Sequence, residues 1–194
     1  MSCIAYFVEK PYVYLVADSS AVTETSTFIV SLPSKLIKIR PNTIICGAGS
    51  FKDIQVIENY IQWPKDITYK NIVTKVLPQL YKLSSQFGLA LKEDEKESYI
   101  TSLILIASEY GVFFIEPNLQ VLRLSDKVFS YGVGSEYVMG YLNACQSYKV
   151  SKDIPEILVN SLQVASKYLD EVKPPFVVDR VKLNNETIQE WRIM

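Results

Sequence analysis

The apolar residues of this chain change period several times, and the order of the changes limits what it can fold into. Short β-type runs come first. Cys3 to Val8 (CIAYFV) and Tyr12 to Ala17 (YVYLVA) are separated by Glu9-Lys10-Pro11, which predicts an antiparallel hairpin. Phe28 to Val30, Leu36 to Arg40 and Thr43 to Cys46 extend the strand signal, with Pro33 and Pro41-Asn42 as turns. After Ser50 the period becomes helical. Ile54, Ile57 and Ile61 share a face widened by Val56 and Tyr60, and Trp63-Pro64 reads as a stop. A second stripe runs through Ile72, Val76, Leu80, Leu83 and Phe87, where Pro78 predicts a kink or a restart. Lys92 to Glu97 (KEDEKE) reads as a solvated loop.

Strands return at Tyr99 to Ser108, Val112 to Ile115, Val121 to Leu124 and Val128 to Tyr131. From Ser135 the helical period resumes through Val138, Tyr141, Leu142 and Cys145. Asp153 to Glu156 (DIPE) has the spacing of a capping box ahead of a long helix carrying Ile157, Leu158, Leu162, Ala165 and Leu169. Phe176 to Leu183 and Ile188 to Met194 read as closing strands. Grouped strands followed by grouped helices argue against alternating β-α-β units. The expected class is α+β: a four-layer αββα sandwich, two antiparallel sheets flanked by helix pairs, in a single domain over residues 1–194.

Composition narrows the chemistry. A net charge of −1 without basic blocks argues against a nucleic-acid partner. The apolar runs are too short to span a bilayer, and no signal pattern opens the chain, so no membrane partner is expected. Three scattered cysteines, Cys3, Cys46 and Cys145, fit a reduced, cytoplasmic compartment. There is no histidine, which removes Ser-His-Asp and Cys-His nucleophile pairs and histidine-ligated zinc. No metal or cofactor is expected. Proton transfer is left to carboxylates, Lys, Tyr, Cys or a chain terminus.

A free α-amine, with a pKa of roughly 7.7–8.0, can accept a proton from a neighbouring hydroxyl. Removal of Met1 would leave Ser2 with both groups, although a serine after the initiator is common. Asp18 ends an apolar strand, where a carboxylate needs a partner, and Lys35 precedes another. A lysine ammonium beside the hydroxyl would stabilise its alkoxide. From these two residues alone, an ordinary strand-end salt bridge is the simpler reading. Gly47-Ala48-Gly49-Ser50 joins a strand to a helix, a place for oxyanion-binding N–H groups or for a plain tight turn. Gly132-Val133-Gly134-Ser135 is a second junction of that form, with Ser135 as the expected helix cap. Cys3 would be a rival nucleophile after cleavage one residue later. Its register to Asp18 is off by one, which predicts a buried structural cysteine.

Together these pieces resemble the proteasome β-subunit and HslV-type peptidase family, the threonine-peptidase branch of the N-terminal-nucleophile hydrolases. SCIAYFVEKPYVYLVADSSAVT resembles the opening hairpin, and the spacing from Ser2 to Asp18 equals that from nucleophile to catalytic aspartate. A one-residue insertion brings Lys35 onto the family lysine, Gly49 onto the oxyanion glycine and Asp53 onto the aspartate after the glycine pair. GVGSEYVMGYLNA resembles the junction entering the third helix, and Asp170 the aspartate near the end of the fourth. The chain departs at the nucleophile, Ser for Thr, at Val133 in place of a serine, and in the EVKPP segment after Asp170.

The resemblance implies a peptidase. Ser2 attacks the scissile carbonyl, its amine carries the proton, Lys35 stabilises the alkoxide, Asp18 holds Lys35 and Gly49 N–H binds the oxyanion. An acyl-enzyme is then hydrolysed. Ala21, Pro33, Ile37 and Gly47 would line an apolar substrate pocket by the same analogy. It further implies peptides or unfolded proteins as substrates, a homo-oligomeric ring, and an ATPase unfoldase as partner. Val133 and Met1 leave open a catalytically inactive ring or scaffold subunit. An amidase acting on a small molecule is a third reading.

Overall fold

The computed structural model describes residues 2–23, 26–31, 34–89, 91–93, 96–150 and 153–190. In chain order the first strands are β1 (Cys3–Glu9), β2 (Tyr12–Ala17), β3 (Ser20–Thr23), β4 (Ser26–Ser31), β5 (Ile37–Arg40) and β6 (Thr43–Ala48). Helix α1 (Phe51–Tyr60), the short α2 (Tyr69–Asn71), a π-helical turn (Ile72–Val76) and α3 (Leu77–Phe87) follow. Strands β7 (Leu91–Glu93), β8 (Lys96–Ser98), β9 (Leu103–Ser108), β10 (Gly111–Ile115), β11 (Val121–Leu124) and β12 (Val128–Gly132) lead to α4 (Ser135–Ser147) and α5 (Ile154–Ser166). Strand β13 (Val177–Lys182) and α6 (Asn185–Glu190) close the described chain. Two compact units result: Met1–Leu36 with Asp126–Lys182, and Ile37–Ser125 with Leu183–Met194.

The first unit holds an antiparallel sheet in the order β12-β1-β2-β13. The predicted hairpin is present, with Glu9 opposite Tyr12 across the turn. Strand β1 is central and buried on both faces from Cys3 to Val8. That explains an unbroken apolar run where a half-exposed strand would alternate. Cys3, Ala5 and Phe7 pack with Val138 and Leu142 of α4 and Leu158 and Leu162 of α5. The turn into α4 needs glycine at Gly134. Its φ is +82°, and a Cβ there would lie 2.9 Å from Leu169 Cδ1 and 3.1 Å from Ala165 Cβ. Gly134, rather than the expected Ser135, is therefore the N-cap.

The second unit holds an antiparallel sheet in the order β11-β10-β9-β6-β5. Ile45, Ile104, Ile106, Phe113 and Ile115 form one face of its core, against Ile54 and Ile57 of α1, Ile72 and Val76 of the π turn, and Leu80 and Leu83 of α3. Pro78 lies in the first turn of α3, but the backbone stays helical across Val76 and Leu77, so the helix runs on from the π turn rather than restarting, and the wider π turn accompanies the missing N–H. Arg40 donates to the carbonyls of Trp63 at 2.8 Å and Pro64 at 2.6 Å, fixing the segment that follows α1.

Three sequence expectations change. The charged stretch expected as a loop contains the short antiparallel pair β7–β8, in which Lys92 stands opposite Glu97 and Glu93 opposite Lys96. Ile188, assigned to a closing strand, lies in α6, and residues 191–194 fall outside the described residues. Asn184 Oδ1 accepts the Thr187 N–H at 2.8 Å, a capping bond that starts a helix there. Asp153 does precede α5, but its side chain makes no cap bond, so the capping box is not closed.

Candidate active site

The end of β2 carries the buried charge. Asp18 has no exposed surface, and its Oδ1 accepts the Cys3 N–H at 2.8 Å and the Lys35 ammonium at 2.8 Å. A carboxylate at the end of an apolar strand is thus partnered by the backbone of the neighbouring strand and by a lysine with 5 % exposure. Burial lowers the Lys35 pKa from its ordinary 10.5, with Asp18 opposing that fall. Oδ2 accepts the Ser20 N–H at 3.0 Å and the Ser20 hydroxyl, which also lies against the Glu171 carbonyl.

Ser2 sits at the head of β1 and is buried. Its carbonyl accepts the Val133 N–H at 3.0 Å, and the carbonyl of Cys3 accepts the Asp18 N–H at 3.2 Å. With the Cys3 N–H on Asp18, backbone groups on either side of the Ser2–Cys3 peptide are tied down. Val133 contributes this backbone bond, while its side chain packs against the helix core of the unit. Lys35 and the amide that joins Ser2 to Cys3 share one carboxylate oxygen.

Cys3 does not compete as a nucleophile. Its thiol is fully buried in the helix-side core. Burial, then the Asp18 charge, pushes its pKa up to about 12, so it stays protonated near neutral pH. Iodoacetamide is accordingly expected to leave Cys3 unmodified in the native protein at pH 8 and to alkylate it fully in urea. Peptide mapping by mass spectrometry reads the difference.

The other expected site residues divide. Ala21 lies in β3 of the first unit, next to Ser20. Pro33 lies outside the described residues. Asp170 does not join the buried cluster: its side chain is 94 % exposed and pairs with Lys173 at 3.0 Å. Ile37, in the second unit, packs against that unit's core. The space a side chain would take at Gly47 is filled by Ile54 Cδ1, 2.0 Å from an ideal Cβ position.

Gly49 has a structural requirement of its own within the second unit. Its φ is +143°, and a Cβ would fall 2.6 Å from Ser102 Cα and 2.7 Å from the Thr101 carbonyl. Asp53 steadies the same strand start, accepting from Thr101 N–H at 2.7 Å and Thr101 Oγ1 at 2.9 Å. Gly49→Ala is expected to lose roughly 2–4 kcal/mol, strain plus overpacking against backbone, measured by urea unfolding.

Sequence reasoning missed Ser20 and the Glu171 carbonyl. Ser20 is one of two adjacent serines after Asp18, and nothing in SS distinguishes them. Its role depends on a carbonyl 151 residues away.

Two antiparallel sheets, each with its own helices, belong to the N-terminal-nucleophile αββα fold class. The proteasome subunit family matches residues 3–173, and the chain belongs to that family. Among solved structures the chain is similar to Thiobacillus denitrificans BPH, at 19% identity and a TM-score of 0.74, covering 94% of this chain and 99% of that one. The same protein in complex with epoxomicin aligns at 18% identity and a TM-score of 0.73, with 94% and 99% coverage. Eukaryotic HslV from Trypanosoma brucei aligns at 15% identity and a TM-score of 0.63, with 93% and 99% coverage. No curated protein matches the sequence. Among the described residues, no helix is long and apolar enough to cross a membrane.

Proposed function

We propose that the protein is a proteasome-like endopeptidase whose nucleophile is the hydroxyl of Ser2, freed by removal of Met1. The observation that carries this reading is the shared oxygen of Asp18, which holds Lys35 and the Ser2–Cys3 amide together. A structural subunit has no evident need to bury that pair beside residue 2, because a buried ion pair adds little stability over an apolar one.

The released α-amine takes the hydroxyl proton as the oxygen attacks the scissile carbonyl. The Lys35 ammonium stabilises the developing alkoxide, and Asp18 keeps that ammonium in place. The tetrahedral intermediate collapses, the amine returns its proton to the leaving nitrogen, and an ester to Ser2 remains. Water then attacks that ester with the same amine as base, releasing the acid and restoring the hydroxyl. The family resemblance gives the oxyanion N–H to Gly49, and Ala21, Pro33, Ile37 and Gly47 to an apolar substrate subsite. It likewise gives a cytoplasmic homo-oligomeric ring, unfolded proteins as substrates and an ATPase unfoldase as partner.

An epoxyketone tests the reading, since it needs both a hydroxyl and a free amine on one residue. The complex of a structural relative with epoxomicin shows the fold accommodating such a reagent in that protein. The expected result is one adduct, mapped to Ser2 as residue 1 of the processed chain. Retention of Met1 in every molecule, with no adduct, overturns it. The pH profile carries a second expectation. The ammonium form of Lys35 is required, so activity falls as pH rises through its pKa. Burial lowers that pKa, so the alkaline limb of kcat/KM is expected below the ordinary lysine value of 10.5.

A further inference from the structure

Two serines follow Asp18, and the fold treats them differently. Both are fully buried. The Ser19 hydroxyl has no hydrogen-bond partner among the described residues, while its backbone N–H donates to the Lys173 carbonyl at 3.2 Å. Ser20 instead meets Asp18 Oδ2 twice, through its N–H and its hydroxyl, and that hydroxyl also reaches the Glu171 carbonyl.

The torsion that turns a carboxylate about its Cβ–Cγ bond is soft. Donors on one oxygen alone leave the group free to rock. Asp18 has two donors on each oxygen: Cys3 N–H and Lys35 on Oδ1, and the two Ser20 donors on Oδ2. Four donors fill the acceptor capacity of an ionised carboxylate. We propose that Ser20 is a positioning residue for the Asp18–Lys35 pair, its hydroxyl holding one carboxylate oxygen so that the other stays on Lys35. The kinetic side of this inference rests on the peptidase reading, whereas its effect on Lys35 does not.

The hydroxyl carries one proton and faces two acceptors, so it serves them one at a time. The charged carboxylate is the stronger acceptor than the neutral carbonyl of Glu171, so the proton points to Asp18 while Asp18 is ionised. The Glu171 carbonyl is an acceptor too and competes for that one proton, so the 171–173 segment meets both serines through the carbonyls of Glu171 and Lys173. Removing the hydroxyl has two consequences. The carboxylate loses a donor and keeps more charge on Oδ1, which favours the Lys35 ammonium. It also rocks more freely, which misplaces that ammonium. Asp18 and Cys3 are the ionisable groups that act on Lys35, and Glu136 acts on Cys3.

The test pairs a titration with kinetics. The Lys35 side chain, carrying 13C at Cε, is followed by NMR from neutral to alkaline pH in the wild type, Ser20→Ala, Ser20→Thr and Ser19→Ala. Ser20→Ala is expected to raise the Lys35 midpoint by about half a pH unit or more. It is expected to lower kcat about tenfold with KM within twofold, an orientation effect rather than a binding one. Ser20→Thr, which keeps the hydroxyl, restores both, and Ser19→Ala changes neither. An unmoved or lowered midpoint in Ser20→Ala overturns the proposal, even if kcat falls, because general loosening would lower kcat alone. If Ser20→Ala does not fold, Ser20→Cys, a weaker donor, takes its place, and a wild-type midpoint in it overturns the proposal. If the wild type neither turns over peptide nor takes the epoxyketone, the peptidase reading fails, and the titration decides the role of Ser20 by itself.

Discussion

Lys35→Met is expected to lose about 3–5 kcal/mol of folding stability, the largest single loss at the site. The cause is the charge left behind. Asp18 is fully buried, and without the ammonium it keeps only neutral donors: Cys3 N–H and the two from Ser20. The reverse change, Asp18→Asn, should cost less. Burial already lowers the Lys35 pKa, so an unpaired Lys35 can be accommodated as the neutral amine. Urea unfolding of the two single variants and the double variant gives the coupling, expected to reach about 2 kcal/mol. The exposed pair of Lys127 with Glu9, at 3.4 Å, is an internal comparison and should give under about 1 kcal/mol. Equal couplings for the two pairs would mean that the Asp18 site is as well solvated as the surface.

Ser2→Ala is expected to reduce peptide hydrolysis by about a thousandfold or more and to abolish the epoxyketone adduct. In the proposed mechanism the Ser2 hydroxyl supplies the bond to the acyl group. Cys3 is buried in the helix-side core with its thiol protonated, and histidine is absent from the chain. Because the alanine still permits removal of Met1, intact mass separates loss of the nucleophile from failed processing. A matching chain with an uncleaved extension before Ser2 should lose activity to a similar extent, since an amide nitrogen cannot accept the proton. Full hydrolysis by Ser2→Ala would move the chemistry elsewhere.

Much of the fold can be read from the sequence because the elements declare themselves locally. CIAYFV and YVYLVA are continuous apolar runs, and both lie in central strands of one sheet. Pro78 signals a disturbance of the helical pattern, and the structure shows it as a π turn that runs directly into α3. Where local signals were weak, tertiary context decided. Ile188 carries strand propensity, yet the Asn184 cap and the surrounding polar residues place it in α6. Part of the KEDEKE stretch lies in the paired strands β7 and β8, a relation between strands that no single run displays.

The site divides in the same way. An absence of histidine, a serine at residue 2 and strand-end charges at Asp18 and Lys35 are all legible in order along the chain, and they settle which chemistries remain open. They leave an ordinary salt bridge as the simpler meaning of the two charges. What the structure adds are bonds between distant segments: Asp18 to Lys35 across 17 residues, Ser130 Oγ to the Ile4 carbonyl across 126, and Ser20 to Glu171 across 151. Local sequence sets which groups exist and which segments are strands or helices, because those depend on near neighbours. Which carboxylate oxygen meets which donor depends on sheet register and buried volume, and these exist only once distant segments have packed.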